Sequence, residues 1–229
     1  MGLAVGEASP AGFGSYMASV RGSIVKGGGF VDQYIFRMAA PEDAGAILKI
    51  YEPYIKETVI TFETEVPSLT EFAGRIEKIR QDYPYIVCWL NNRIIGYAYA
   101  HRQMERAAYQ WNAELSVYIQ EGSHQRGVGK KMYQAIMEIL KLQNIKNVYG
   151  GVTCPNLKSE KLHETLGFKR LGVYRQTGYK GGAWHDVAWF EKAIGEYEIP
   201  PEPFRSIKEI APERIEEILR RCSIGSKGL

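Results

Sequence analysis

The chain is poor in the residues that metal and disulfide chemistry need. Its three cysteines, Cys88, Cys154 and Cys222, are odd in number and far apart. That is a weak disulfide framework and points to a reducing cytoplasm. None stands at zinc spacing from any of the four scattered histidines, so no metal site is expected. No window approaches the roughly 18 apolar residues of a transmembrane helix. The N-terminus lacks a basic stretch followed by an apolar one, so no secretory signal is expected and no membrane partner is implied. Runs of Lys or Arg are also missing, and the net charge is only +3, which argues against a nucleic-acid partner.

What is present belongs to an ordinary soluble protein: 229 residues, 45% apolar and 24% charged, enough for one good core with appendages. Residues 1–33 are Gly-rich and without periodicity, and read as an extension. From Tyr34 a β-α-α-β-β-β-α-β-α-β-β order is legible, which predicts an α/β (α+β) domain over 34–195, a mixed sheet with helices on both faces. Ser68 with Glu71 forms a capping box before the apolar stripe Phe72, Ile76, Ile79. Asn91-Asn92 reads as a tight turn between two strands, and 108–119 as a third strand. Residues 169–194 read as a closing hairpin. A Pro-containing tail, 196–229, ends in one short amphipathic helix.

The stretch from Ser116 to Ile136 carries the chemical signal. A strand ends in Val117, Tyr118 and Ile119; a polar turn follows, and Gln125-Arg126-Gly127-Val128-Gly129-Lys130 opens a helix. A Walker A loop is excluded, because His124 stands where its first glycine belongs and Lys131 where Ser or Thr is required. A dinucleotide fingerprint is excluded by Met132 at its third glycine. Free N–H groups at a helix N-terminus, with Arg126, Lys130 and Lys131 nearby, still make a good pyrophosphate cradle. A solvated basic turn is the alternative. Glu114 is a second signal: a carboxylate in an otherwise apolar strand is costly unless it is used or paired, for instance with Arg106.

Six stretches, in order, resemble the GNAT superfamily of N-acetyltransferases, and within it the phosphinothricin and methionine sulfone/sulfoximine acetyltransferases. They are IYEPYIKETVITFETE (50–65), IIGYAYA (94–100), ERAAYQWNAELSVYI (105–119), HQRGVGKKMY (124–133), PNLKSEKLHETLGFKRLG (155–172) and GYKGGAWHDVAWFEK (178–192). The resemblance implies the GNAT fold, with a mostly antiparallel sheet. It also implies acetyl-CoA as co-substrate, a small amino-acid-like amine as acceptor, and a homodimer. Acetyl-CoA is expected where the strand ending Val117, Tyr118, Ile119 splays from the strand around Val148–Val152. The backbone of Val117 and Ile119 would pair with pantetheine. The amides of Gln125 to Lys130 would take the diphosphate, with Asn156 and Ser159 beside the pantetheine arm or serving as a helix cap.

By the same resemblance Glu114 is the general base. His163 is a second base or a relay, unless it is a core histidine satisfied by backbone. Arg106 and Tyr109 would hold the substrate carboxylate. Phe62 and Ser116, with Lys180 and Trp184, would wall the pocket or, for the last two, build a dimer contact. Asn112, Ala113 and Met104 depart from the family pattern beside the base and the pocket arginine, which leaves the acceptor open. A peptide N-acetyltransferase and a non-catalytic acyl-CoA-binding module are the competing readings.

Overall fold

A computed structural model describes residues 33–123 and 127–225. The segment 1–33 therefore lies outside it, apart from Gln33, which starts the first strand. β1 (Gln33–Met38) leads through a single 3-10 turn at Pro41–Asp43 into α1 (Ala44–Glu57) and then α2 (Leu69–Arg80). β2 (Tyr85–Leu90), β3 (Arg93–Arg102) and β4 (Asn112–Ile119) form a meander. α3 (Val128–Leu142), β5 (Asn147–Cys154) and α4 (Leu157–Thr165) follow, then the hairpin β6 (Lys169–Lys180) and β7 (Ala183–Ala193). α5 (Pro212–Cys222) and the short β8 (Ile224–Gly225) end the described chain.

The strands make one eight-stranded sheet in the order β6-β7-β5-β4-β3-β2-β1-β8. Every pair is antiparallel except β4 with β5. Side chains alternate across the sheet, so each strand feeds two cores. α1 and α2 cover the face that carries Tyr85, Val87 and Tyr97. α3 and α5 cover the other, against Ile86, Ala98, Leu115 and Val148.

Local chemistry explains most of the ends. Ser68 Oγ accepts the amide of Glu71 at 3.2 Å and caps α2. The reciprocal half of the expected box is missing, because Glu71 instead binds Arg75 at 2.7 Å one turn on. Asn91 and Asn92 both take positive φ, 47° and 65°, as a two-residue hairpin turn requires.

Two expectations are corrected. The stretch from Ala108 is not strand: Ala107–Tyr109 is a 3-10 turn, closed by Tyr109 N–H on Arg106 O, and β4 starts at Asn112. The tail does more than end in a helix. Ile207, Ile210, Ile215, Ile218 and Leu219 are buried in the α3-side core, and β8 adds an edge strand to β1.

Leu219, 3% exposed, is expected to matter to stability. Leu219→Ala should lower the urea unfolding free energy by about 2–5 kcal/mol. An unchanged unfolding curve would mean that the tail helix adds nothing to the fold.

Candidate active site

β4 and β5 pair over only three residues, Asn112–Glu114 against Asn147–Tyr149. Beyond that point β5 continues against β7 as far as Cys154, while β4 continues against β3 as far as Ile119. The two strands thus part in a V whose apex is Glu114 and Tyr149.

The β3–β4 ladder decides which backbone groups face the V. Gln103 N–H donates to Asn112 O (3.4 Å) and Gln120 N–H to Ile95 O (2.8 Å). Antiparallel bonds alternate, so Asn112, Glu114, Ser116 and Tyr118 bond to β3, and the amides of Ala113, Leu115, Val117 and Ile119 point away from it. Leu115 O accepts the Tyr133 hydroxyl (3.2 Å). Ile119 is also engaged: the Tyr54 hydroxyl donates to its carbonyl (2.6 Å) and accepts its N–H (3.3 Å). Val117 alone of these two expected pantetheine partners keeps its N–H and C=O unpartnered among the described residues. Tyr54 was not foreseen, because a tyrosine on an amphipathic helix reads as core.

At the open end of the V, α3 begins. Gly127 is its N-cap at φ 67°, and no side chain caps the helix. Gly129 has ordinary φ, and a Cβ there would meet Val117, Leu162 and Ile119 only at 3.8–4.0 Å. Neither conformation nor packing within the chain calls for glycine at 129. Glycine there leaves the backbone open to close approach from outside the chain. Val128 is buried and Lys130 half-buried. Gln125 and Arg126 lie outside the described residues.

Glu114 is half-buried on the α1–α2 side of the sheet. Burial raises its pKa above the ordinary 4.5, and His101, directly opposite on β3, pulls the other way. It forms no ion pair with Arg106 among the described residues. Arg106 is exposed at the start of the 3-10 turn, with its guanidinium unengaged there, and Tyr109 lies exposed in the same turn. Ser116 stands beside Tyr99 and is hydrogen-bonded to it. Asn112 shares the Glu114 face and is tied to Asn147 (3.1 Å), whereas Ala113 is fully buried on the other face and does not border the base.

The 61–63 loop is fixed rather than free. Tyr51 Oη bonds Thr61 (2.7 Å) and Glu63 (3.0 Å), and Arg75 holds the Glu63 carboxylate at 2.9 Å. Phe62 fills the space a side chain at 178 would need: a Cβ on Gly178 would come within 2.3 Å of its ring. Lys180 Nζ donates to Thr61 O (2.8 Å), so loop and hairpin are clipped together. A neighbouring cavity lined by Tyr51, Glu63, Arg75, Tyr85, Tyr97 and Tyr99 measures about 70 Å³. Trp184 is 60% exposed and packs on Tyr179, in the hairpin's turn.

His163 and Asn156 follow the structural alternatives. Asn156 Oδ1 accepts Ser159 N–H (3.1 Å) and caps α4. His163 is 2% exposed among Tyr133, Phe168 and Phe190. Its Nδ1–H donates to Ser159 O (2.8 Å), and Nε2 lies unpartnered under Gly150. Gly150 aligns with the β4 residues that face α3, so His163 and Glu114 lie on opposite faces of the sheet. The arrangement matches the expected alternative of a core histidine satisfied by backbone at Nδ1.

Residues 36–189 match the family model described as Acetyltransferase (GNAT) domain. The chain belongs to the GNAT acetyltransferases. Its relatives include the phosphinothricin N-acetyltransferase of Streptomyces viridochromogenes, 32% identical over 76% of this chain and 94% of that one. The L-methionine sulfoximine/L-methionine sulfone acetyltransferase of Pseudomonas paraeruginosa is 29% identical over 68% and 91%. A GNAT superfamily phosphinothricin acetyltransferase from Sinorhizobium meliloti, solved in complex with acetyl-CoA, superposes with a TM-score of 0.70 at 29% identity, covering 75% of this chain and 94% of that one. The GNAT enzyme described here therefore takes acetyl-CoA as its acyl donor. Among the described residues no cluster of metal-ligating side chains is found.

Burial holds the His163 pKa below its ordinary 6.5. In the unfolded chain the ring gains a proton that the folded protein refuses. Stability should therefore fall as pH drops through about 6.5 toward the folded pKa. Urea midpoints between pH 8 and pH 5 should show this drop, and His163→Phe should flatten the histidine part of it. An identical slope in the variant would mean that the ring titrates freely.

Proposed function

We propose that this enzyme acetylates the α-amine of a small amino-acid-like acceptor of the phosphinothricin and methionine sulfoximine/sulfone type, with Glu114 as general base. The observation that carries the reading is the V between β4 and β5 with a half-buried carboxylate at its apex. Val117, with open backbone groups, is suited to pair with pantetheine as a missing strand would. The α3 N-terminus, from Gly127 to Lys130, is suited to the diphosphate. Ile119 joins the pairing only if the Tyr54 hydroxyl gives way. Ser159 serves α4 through its backbone and borders the pantetheine arm.

In the reaction Glu114 removes a proton from the acceptor's ammonium, directly or through a water. The freed nitrogen forms the new C–N bond at the thioester carbonyl, and the Val117 N–H is the donor offered to the developing oxyanion. As the C–S bond breaks, the departing thiolate takes up a proton. Burial keeps Glu114 a stronger base than an exposed carboxylate, which matches it to this task. Arg106, with no partner among the described residues, receives the acceptor's carboxylate as a fork, beside Tyr109. Phe62, Ser116 and Lys180 bound the pocket. Exposed Leu171, Tyr174, Tyr179 and Trp184 on the hairpin suit the interface of a homodimer. The three free cysteines suit the cytoplasm.

The first test is thiol release from acetyl-CoA with phosphinothricin, methionine sulfoximine, methionine sulfone or a lysine-containing peptide. Turnover with the small amino acids alone is expected. Turnover with the peptide alone would move the acceptor class, and turnover with none would favour an acyl-CoA-binding role.

Glu114→Gln should lower turnover by about 10²–10⁴ while acetyl-CoA affinity stays near wild type. Wild-type turnover would remove Glu114 from the mechanism. Gly129→Ala separates folding from binding. It should raise fold stability by up to about 1 kcal/mol, as for any helical glycine, yet weaken acetyl-CoA binding in calorimetry. Gly129→Val should weaken binding further, and unchanged affinity in both would contradict the cradle.

A further inference from the structure

His101 and Glu114 are directly opposed on β3 and β4, in a hydrogen-bonded pair of the ladder. Their Cα atoms are therefore about 5.5 Å apart and their side chains leave the same face of the sheet. We propose that His101 is a positioning residue for the acetyl transfer, holding Glu114 in its ionised, proton-accepting form and giving the accepted proton a way out to solvent. The inference rests on the reading of Glu114 as the base.

Three features of the fold carry it. First, the β2 ladder begins with Tyr85 opposite Tyr99, so His101 lies past the end of β2 with no strand residue on that side. It is half-buried, with part of its surface reaching solvent, and it faces Glu114 across the ladder. Second, the ring is fixed. Nδ1 is 2.9 Å from Arg102 O, so it carries a proton and donates, and the ring packs on Tyr99 with centroids 5.9 Å apart. With Nδ1 committed, Nε2 is the atom that can gain or lose a proton. Third, among the described residues the other groups around Glu114 supply no cation. Tyr99 lies beside His101 on β3, Tyr149 pairs with Glu114 on β5, and Tyr133 reaches up from α3. All three are phenols whose pKa values burial raises, so they stay neutral. Arg75 is spent on Glu63 and Glu71, and Arg106 makes no ion pair with Glu114.

The balance of the step is simple. Glu114 accepts one proton from the acceptor's ammonium; the protonated His101 releases its Nε2 proton to solvent, and the proton on Glu114 then passes to Nε2, directly or through a water, which restores the resting pair. No oxidant, reductant or further reactant is involved. In the resting site a protonated His101 beside Glu114 offsets the effect of burial, which otherwise favours the neutral acid.

The test is the pH dependence of kcat/KM for His101→Gln and His101→Lys, in the full-length enzyme with its best acceptor. Loss of the cation should raise the proton affinity of Glu114. In His101→Gln the acidic limb should move up by about one pH unit, a common size for such shifts. Activity at pH values below the wild-type limb should fall about tenfold, with recovery toward wild type well above it. His101→Lys restores a cation and should bring the limb back to or below the wild-type position. A limb that does not move in His101→Gln, or a loss that is uniform across pH and not rescued by lysine, would overturn the proposal. Glu114→Gln, run alongside, keeps the two failures apart. If it retains turnover, the base assignment fails; if it is inactive while His101→Gln leaves the limb in place, only the role of His101 fails.

Discussion

The site depends on one interrupted hydrogen-bond ladder. A strand inside a sheet normally has both edges paired, because buried peptide groups without partners are costly. β4 has its β3 edge paired throughout and its β5 edge paired for three residues only. Past Glu114 the peptide groups that would have joined β5 are handled one at a time: Leu115 by Tyr133, Ile119 by Tyr54. Val117 remains open among the described residues. A sheet with such a gap has a ready place for an extended amide-bearing ligand, and the neighbouring helix N-terminus adds uncapped N–H groups at the end of the same groove.

The two faces of the sheet divide the work. The α3 side is a dense apolar and aromatic core in which even His163 is a packing residue, neutral and aimed at the space under a glycine. The α1–α2 side carries the stacked tyrosines Tyr85, Tyr97, Tyr99 and Tyr118, and at its end the polar row of His101, Glu114 and Tyr149. Rigidity on that side comes from stacked rings, such as Tyr85 on Tyr99 at 5.0 Å, and from the Tyr51–Glu63–Arg75 cluster that fixes the 61–63 loop. A base works best when its supports cannot move, and here they are backbone ladder and aromatic packing.

Much of this was legible in the chain. Strand and helix order followed from periodicity, the Asn91-Asn92 turn from residue type, and the α2 cap from Ser68. Glu114 could be singled out because a lone carboxylate in an apolar strand needs a reason. The glycine turn could be singled out because glycine is rarely placed there without one. Less legible were the 3-10 turn before β4, where strand-like composition met a chain that had to reverse, and β8, whose two residues carry no pattern of their own. His163 was ambiguous because the same sequence motif serves a relay or a core equally well.

The sequence by itself determined the elements, their order and the residue types that acyl transfer to an amine needs. Those are local properties: periodicity, capping and turn chemistry act over a few residues. The tertiary structure decided which of these residues meet. Register set His101 opposite Glu114 and sent His163 to the other face, and it let Tyr54, from a helix far earlier in the chain, take the amide of Ile119. Register depends on how two distant strands slide against each other, and a shift of one residue turns every side chain to the opposite face. No local pattern carries that information, and it is the packing of both cores at once that fixes it.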